Sequence, residues 1–286
     1  MSKINILPPD LVNHIAAGEV IDRPSAVIKE TVENAIDAGA TQVEIWVSAD
    51  ARSFRIADNG CGMDREDLEK AFRNHATSKI TTHDDLFALH TLGFRGEALA
   101  SIAAVAKVTC TSKTKDAETA LKAQVSPDGS VVITETGAAM GTALEISDLF
   151  HNVPVRLKFL KQPKTEIAHI EEMLNYLALS NPNVRFVFKL QDSEVFSTSG
   201  SGHVDKALTE LFKIDIEKDM LRFEAQDPQM GFKVWGLTSL PSVYRSSKKW
   251  VFPFINGRSV RCHIISKAIE GAYDSLITPG KHPIIT

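Results

Sequence analysis

Between Ile28 and Val47 the hydrophobic period of this chain changes from helical to extended. Ile28, Val32, Ala35 and Ile36 recur at i, i+4, i+7 and i+8 after a Pro24-Ser25 opening, and Gly39 follows as a stop. That spacing predicts an amphipathic helix. Val43, Ile45 and Val47 then alternate strictly, a turn spans Asp50 to Ser53, and Phe54-Arg55-Ile56-Ala57 returns as a second, antiparallel strand. With strands outnumbering helices in mixed order along the chain, two α+β layers are expected, one per domain.

The pattern continues in mixed order. Asp64 is placed to cap a helix running through Phe72, and Thr77 to Gly96 is a long, polar, glycine-ended connection of the kind used as a lid. An Ala-rich helical run follows it. Strands are expected at 107–112, 121–125, 131–136, 142–146 and 184–189, with a helix over 165–179. The Ser-Thr-Ser-Gly-Ser-Gly-His run at 197–203 is a domain boundary by composition. Beyond it come a helix at Val204–Phe212, strands including Gly231–Leu237 and Trp250–Ile255, and a helix from His263 to Leu276. At 286 residues the chain fits two domains, drawn here as 1–200, with a lid at about 73–97, and 204–286.

One face of the first helix is not apolar. Glu30, Asn34 and Asp37 are spaced i, i+4, i+7, which at about 3.6 residues per turn puts them on one side. An Asn carbonyl is a hard oxygen ligand for a divalent cation on polyphosphate, and a carboxylate one turn away can activate water. The hairpin then ends in Asp58-Asn59-Gly60-Cys61-Gly62-Met63. Asp58 can accept from the exocyclic amine of adenine, while Asn59-Gly60 reads equally as a tight turn. In Gly93-Phe94-Arg95-Gly96-Glu97-Ala98-Leu99 a glycine-rich turn enters a helix, whose first N–H groups are an anion site. Neither a P-loop nor a dinucleotide fingerprint is present.

Composition narrows the setting. The longest weakly polar stretch, Ala98 to Ala106, is far short of the ~20 residues that span a bilayer. Cys61, Cys110 and Cys262 lack zinc or disulfide spacing, and Met1 to Asn5 has no secretory core, so the chain is expected in the cytoplasm without a membrane partner. The net charge is −4, yet Arg245, Lys248, Lys249, Arg258 and Arg261 form a basic run without an acidic residue between them, and Arg156, Lys158, Lys161 and Lys164 form a second. Each is either a phosphate-binding surface or an ordinary solvated face.

Taken in order, the Glu30 to Gly39, Asp58 to Met63 and Gly93 to Leu99 blocks resemble the ATP-binding motifs of the GHKL superfamily, which contains gyrase, the ninety-kilodalton heat-shock chaperones, histidine kinases and MutL. Ile15-Ala16-Ala17-Gly18-Glu19-Val20 with Arg23-Pro24, Ala76-Thr77-Ser78-Lys79-Ile80, Gly-Phe-Arg-Gly-Glu-Ala-Leu and Phe254-Ile255-Asn256-Gly257-Arg258 resemble the MutL type of DNA mismatch-repair protein within it. Thr31 departs from the family, which usually has Leu there. The resemblance implies a GHKL-type α/β sandwich followed by a ribosomal S5 domain 2-like domain, incomplete at its C-terminus. It implies a slow, magnesium-dependent ATPase acting in mismatch repair. Glu30 would be the general base and Asn34 the magnesium ligand. Asp58 would read adenine with support from Thr142, Gly62 would give the base room, and Met63 would lie beside it. Thr77, Ser78 and Lys79 would sit at the lid, and Gly93, Phe94, Arg95, Gly96, Glu97, Ala98 and Leu99 would cradle the phosphates. Lys248, Lys249, Arg258 and Arg261 would contact DNA. Implied partners are DNA, a MutS-type mismatch-recognition protein, a downstream nuclease or helicase, and a second copy in an ATP-dependent homodimer. A topoisomerase-type ATPase, a chaperone or kinase, and a scaffold that binds ATP without turnover are the competing readings.

Overall fold

In a computed structural model of the chain, Gly18 and residues 20–79, 91–93, 96–260 and 262–286 are described. They fall into two units, one of residues 1–173 with 186–196 and one of 174–185 with 197–286. The expected lid therefore lies partly outside the described residues, as do Phe94, Arg95, Arg261 and most of the Ile15 to Val20 motif.

The first unit opens with helix α1 (Pro24–Asp37), entered through Pro24 in its first turn, where a missing N–H costs nothing. It ends at Gly39, whose φ of +75° is the left-handed conformation that glycine adopts without strain. The hairpin is β1 (Gln42–Val47) and β2 (Phe54–Asp58), paired antiparallel with Val43 opposite Asp58 and Val47 opposite Phe54. Val43, Ile45 and Val47 are buried, as their alternation requires. Helix α2 (Arg65–Ala71) is capped by the Asp64 carboxylate, which accepts from the Asp67 N–H at 2.9 Å.

Helix α3 (Ala98–Val105) leads into β3 (Lys107–Lys113), β4 (Ala120–Val125), β5 (Val131–Thr136) and β6 (Gly141–Ser147). After helices α4 (Pro154–Phe159) and α5 (Pro163–Ser180) come β7 (Arg185–Leu190) and β8 (Ser193–Ser197). The eight strands form one sheet in the order β5-β4-β3-β6-β2-β1-β7-β8. Insertion of β6 between β3 and β2 is the step that builds the site. It sets Ser112 opposite Thr142 and Ala57 opposite Ala143, bringing the ends of three strands together. Helices α1 and α3 pack together, and α1 lies on β2. Val27, Ile28 and Val32 from α1 and Ile102 and Val105 from α3 are essentially solvent-free. The two-layer expectation holds.

The second unit contains α6 (Val204–Phe212), α7 (Ile216–Asp219), the hairpin β9 (Met220–Asp227) with β10 (Phe232–Ser239), the short strands β11 (Tyr244–Arg245), β12 (Phe254–Ile255) and β13 (Arg258–Ser259), helix α8 (His263–Tyr273) and β14 (His282–Pro283). Leu208, Ile214, Met220, Leu237, Phe252 and Ile284 form its core. The Phe212 ring stacks on Phe252 at 5.4 Å and meets Trp250 at 4.7 Å. The strand expected over Trp250–Ile255 is corrected to a 3-10 turn at Lys248–Trp250 and a two-residue strand at 254–255. Pro253 interrupts the run because it has no N–H for a ladder. The last helix ends at Tyr273 rather than Leu276.

Candidate functional site

The polar face of α1 carries the most connected cluster of the first unit. The Lys79 ammonium bonds Asn34 Oδ1 at 2.8 Å and Asp37 Oδ2 at 2.6 Å, with the two charged side chains only 17% and 7% exposed. Asp37 also accepts from the N–H groups of Leu92 at 2.9 Å and Gly93 at 3.2 Å. One carboxylate thus ties Lys79 to Leu92 and Gly93. A Cβ on Gly93 would lie 3.4 Å from the Lys79 ammonium and 3.8 Å from Asn34 Oδ1, so this glycine backs directly onto the cluster. Asn34 and Asp37 already share a positive group, which is the behaviour expected of a donor set that suits a divalent cation. Among the described residues no group of three or more His, Cys, Asp or Glu is placed to hold a metal, so such a cation needs further oxygens from its ligand.

Glu30 stands one turn earlier, half-buried, with the Lys29 ammonium 3.4 Å from its carboxylate. Lys29 is held mainly by Glu33 at 2.9 Å. Burial pushes the Glu33 carboxyl above its ordinary range, and the bond from Lys29 opposes that shift. Thr31 settles inside the helix, where its hydroxyl donates to Val27 or Ile28 carbonyls at 2.9 and 3.0 Å. Its departure from the family pattern leaves the polar face untouched.

At the strand ends, Asp58 Oδ1 accepts from the N–H of Gly60 at 2.8 Å and of Thr142 at 3.3 Å. Burial raises the Asp58 pKa, and those two N–H groups partly offset it. Beneath it the buried Cys110 thiol is pushed up to about 12, by desolvation first and by the Asp58 charge second. Asn59 acts structurally, its Oδ1 accepting from the N–H groups of Thr41 and Gln42, both at 2.9 Å, and so tying β2 to the turn before β1. Gly62 adopts φ +72°, and a Cβ there would sit 2.2 Å from the Lys113 carbonyl. The chain itself demands glycine at that point, independently of any ligand. Gly141 is similar, with φ +116° and a Cβ position 2.0 Å from the Asp58 carbonyl. Met63 donates its N–H to Ser112 Oγ at 2.8 Å.

The glycine-rich block enters α3 as expected. Gly96 has φ +64°, with its Cβ position 2.6 Å from the Ala76 carbonyl, so it brings the helix entry against the start of the Thr77-Ser78-Lys79 segment. Thr77 caps that segment by accepting from the Lys79 N–H at 3.2 Å. Glu97 lies 3.5 Å from His75, an exposed residue at φ +63°. Ala98 and Leu99 form the first turn of α3. A concavity of about 760 Å³ elsewhere on the sheet is lined by Trp46, Arg55, Lys107 and Lys189 among others, and holds none of the motif residues. Lys79, Asp37 and Asp58, all partly or wholly buried, lie with the motifs instead.

The basic run of the second unit is less uniform than its sequence. Arg245 stacks over Trp250 at 4.7 Å, and Lys248 pairs with Glu270 of α8, which also holds Lys267 at 3.1 Å. Those two lysines pull the Glu270 carboxyl down to about 2. An acidic residue therefore does face the run, from a distant part of the sequence. Lys249 and Arg258 are both exposed, Arg258 in β13.

These blocks match known proteins in the same order. Residues 23–141 match the family of histidine kinase-, DNA gyrase B- and HSP90-like ATPases, and residues 208–286 match the C-terminal domain of DNA mismatch repair proteins. Over 99% of its length the chain is 42% identical to the DNA mismatch repair protein MutL of Lacticaseibacillus paracasei and 43% identical to that of Syntrophotalea carbinolica. The chain belongs to the MutL family. It spans 43% and 45% of the length of those two relatives. Among solved structures, the N-terminal domain of a DNA repair protein superposes with a TM-score of 0.81 at 26% identity, covering 96% of this chain and 85% of that one. The ADP complex of the Aquifex aeolicus MutL ATPase domain gives 0.71 at 26% identity, with 93% and 91% covered. The topoisomerase reading is not favoured, since the relatives that align along the whole chain are MutL proteins.

Three residues of this MutL chain act in ways that sequence reasoning passed over. Asp37 was counted on the polar face, yet its role as the clasp between Lys79 and Gly93 needs the folded lid ends. Ser112 looked like one more residue of a strand, although its hydroxyl is buried at the centre of the Met63, Gly141 and Thr142 contacts. Arg156, grouped with the second basic cluster, donates instead to the Ile21 carbonyl at 3.0 Å and to the Gly18 carbonyl, fixing the segment that precedes α1.

Proposed function

We propose that this chain carries the magnesium-dependent ATP-hydrolysing site of a mismatch-repair switch. The observation that carries the reading is the convergence of Asn34, Asp37 and the two lid ends around one cation position, with Asp58 at the strand ends of the same unit. Asn34 would hold magnesium, which would supply positive charge to screen and polarise the phosphates. Glu30 takes the proton from the attacking water. Asp58 reads adenine, supported by Thr142. Gly93, Phe94, Arg95, Gly96, Glu97, Ala98 and Leu99 face the phosphates with backbone N–H groups at the entry to α3, and Thr77, Ser78 and Lys79 close over them. Turnover is slow.

Nucleotide drives a change of state. With ATP bound, Lys79 would turn from Asn34, which would hold magnesium, toward the phosphates, and the 77–96 lid would close and favour a homodimer. That dimer binds DNA through Lys248, Lys249, Arg258 and Arg261, without base preference. A MutS-type protein upstream and a nuclease or helicase downstream are the partners such a switch serves, in the bacterial cytosol. Among the described residues no helix is long and apolar enough to cross a membrane. Hydrogen exchange tests the switch: a non-hydrolysable ATP analogue with magnesium should protect residues 77–96 and raise the dimer fraction. Equal protection by ADP would remove the terminal-phosphate sensor.

A further inference from the structure

Ser112 lies on β3, 1% exposed, directly opposite Thr142 on β6. Its hydroxyl meets the Met63 N–H at 2.8 Å, the Gly141 carbonyl at 3.1 Å and Thr142 Oγ1 at 2.9 Å. A serine hydroxyl donates one proton and accepts at two lone pairs. The Met63 N–H can only donate and the Gly141 carbonyl can only accept, so Ser112 accepts from the first and gives its proton to the second. The third contact then closes in one way, with the Thr142 hydroxyl donating to Ser112. Two lone pairs would otherwise face each other at hydrogen-bond distance.

The consequence lies on the far side of Thr142. With its proton turned toward Ser112, Thr142 Oγ1 has only lone pairs left to present. Asp58 has the same character, since Oδ1 is engaged by Gly60 and Thr142 N–H groups and Oδ2, the other carboxylate oxygen, can only accept. We propose that Ser112 is a positioning residue for base selection: by holding the Thr142 proton inward, it makes the Asp58 and Thr142 edge a reader that accepts and never donates. The inference rests on the reading of Asp58 as the base contact. An adenine amino group supplies donors to such an edge. Hypoxanthine carries a carbonyl at the same position and would set lone pairs against lone pairs. Fixed polar groups of this kind reject a mismatched analogue far more strongly than apolar walls do.

Replacing Ser112 by alanine frees the Thr142 proton to rotate outward and serve a carbonyl. Equilibrium titration with ADP and IDP, which present adenine and hypoxanthine and are not hydrolysed, isolates this effect. The unaltered chain should prefer ADP by on the order of 10⁴-fold. Ser112→Ala should lower that ratio by about tenfold, the scale of one hydrogen bond. Thr142→Ala should lower it as well, and adding Ser112→Ala to Thr142→Ala should change it no further. A purely structural role for Ser112 weakens both nucleotides by the same factor. An unchanged ratio in Ser112→Ala, or a full effect of Ser112→Ala in the Thr142→Ala background, would overturn the proposal and leave the nucleotide reading standing. Failure of the unaltered chain to bind either nucleotide would overturn that reading and the proposal with it.

Discussion

Removing the Asp37 carboxylate should damage the fold of the first unit more than its place on a polar helix face suggests. Asp37→Ala takes away three bonds at once, from the Lys79 ammonium at 2.6 Å and from the Leu92 and Gly93 N–H groups at 2.9 and 3.2 Å. Deleting one member of a buried ion pair costs about 3–5 kcal/mol, because the remaining charge is stranded. Lys79 keeps Asn34 and is 17% exposed, so water recovers part of the loss. The lower end applies, about 3 kcal/mol, or a fall in midpoint of roughly 6–12 °C for a unit of this size. Urea and thermal unfolding followed by circular dichroism measure it. The double variant Asp37→Ala with Lys79→Met should recover about 1.5 kcal/mol or more relative to the sum of the single changes. A loss below about 0.5 kcal/mol for Asp37→Ala, the range of ordinary surface substitutions, would refute the clasp. Strict additivity would refute the coupling.

Three further outcomes are set by the same geometry. Burial raises the Asp58 pKa above its ordinary value of 3.8, so the ionised form is the costly one in the folded state. Asp58→Asn keeps an oxygen for the Gly60 and Thr142 N–H groups and should raise the melting midpoint at neutral pH. That gain should shrink as pH falls through the raised pKa toward 3.8, and adenine nucleotide binding should be lost throughout. Gly141→Ala places a Cβ 2.0 Å from the Asp58 carbonyl at φ +116°, and should cost upward of about 2 kcal/mol in urea unfolding, with weaker ADP binding. Arg258→Glu with Arg261→Glu should weaken binding to different DNA sequences about equally and flatten the salt dependence, which filter binding over a range of salt concentrations would show.

Much of the first unit was legible because each of its signals is local. The acidic and apolar faces of α1 are written in residues one turn apart, and the cap on α2 needs only Asp64 and the N–H three residues on. In the second unit, helix α6 was legible from the glycine-rich run that precedes it. What escaped depends on strands and segments far apart in sequence. No pattern places Ser112 opposite Thr142, since that register exists only once β6 inserts beside β3. Glu270 neutralises Lys248 across a turn of chain that sequence reading treated as a separate helix. Strand β9 was missed because only Met220 of its residues is buried, which leaves no alternation to read.

Above all, helix α1 is held to divide its labour, with Glu30 activating water and Asn34 holding the metal on ATP. Phosphate release at saturating magnesium-ATP, measured beside equilibrium nucleotide binding for the unaltered chain, Glu30→Ala and Asn34→Ala, tests that division without an intermediate step. Glu30→Ala should bind ATP within a few-fold of the unaltered chain and release no phosphate above background, whereas Asn34→Ala should bind weakly. Undiminished phosphate release by Glu30→Ala would contradict it.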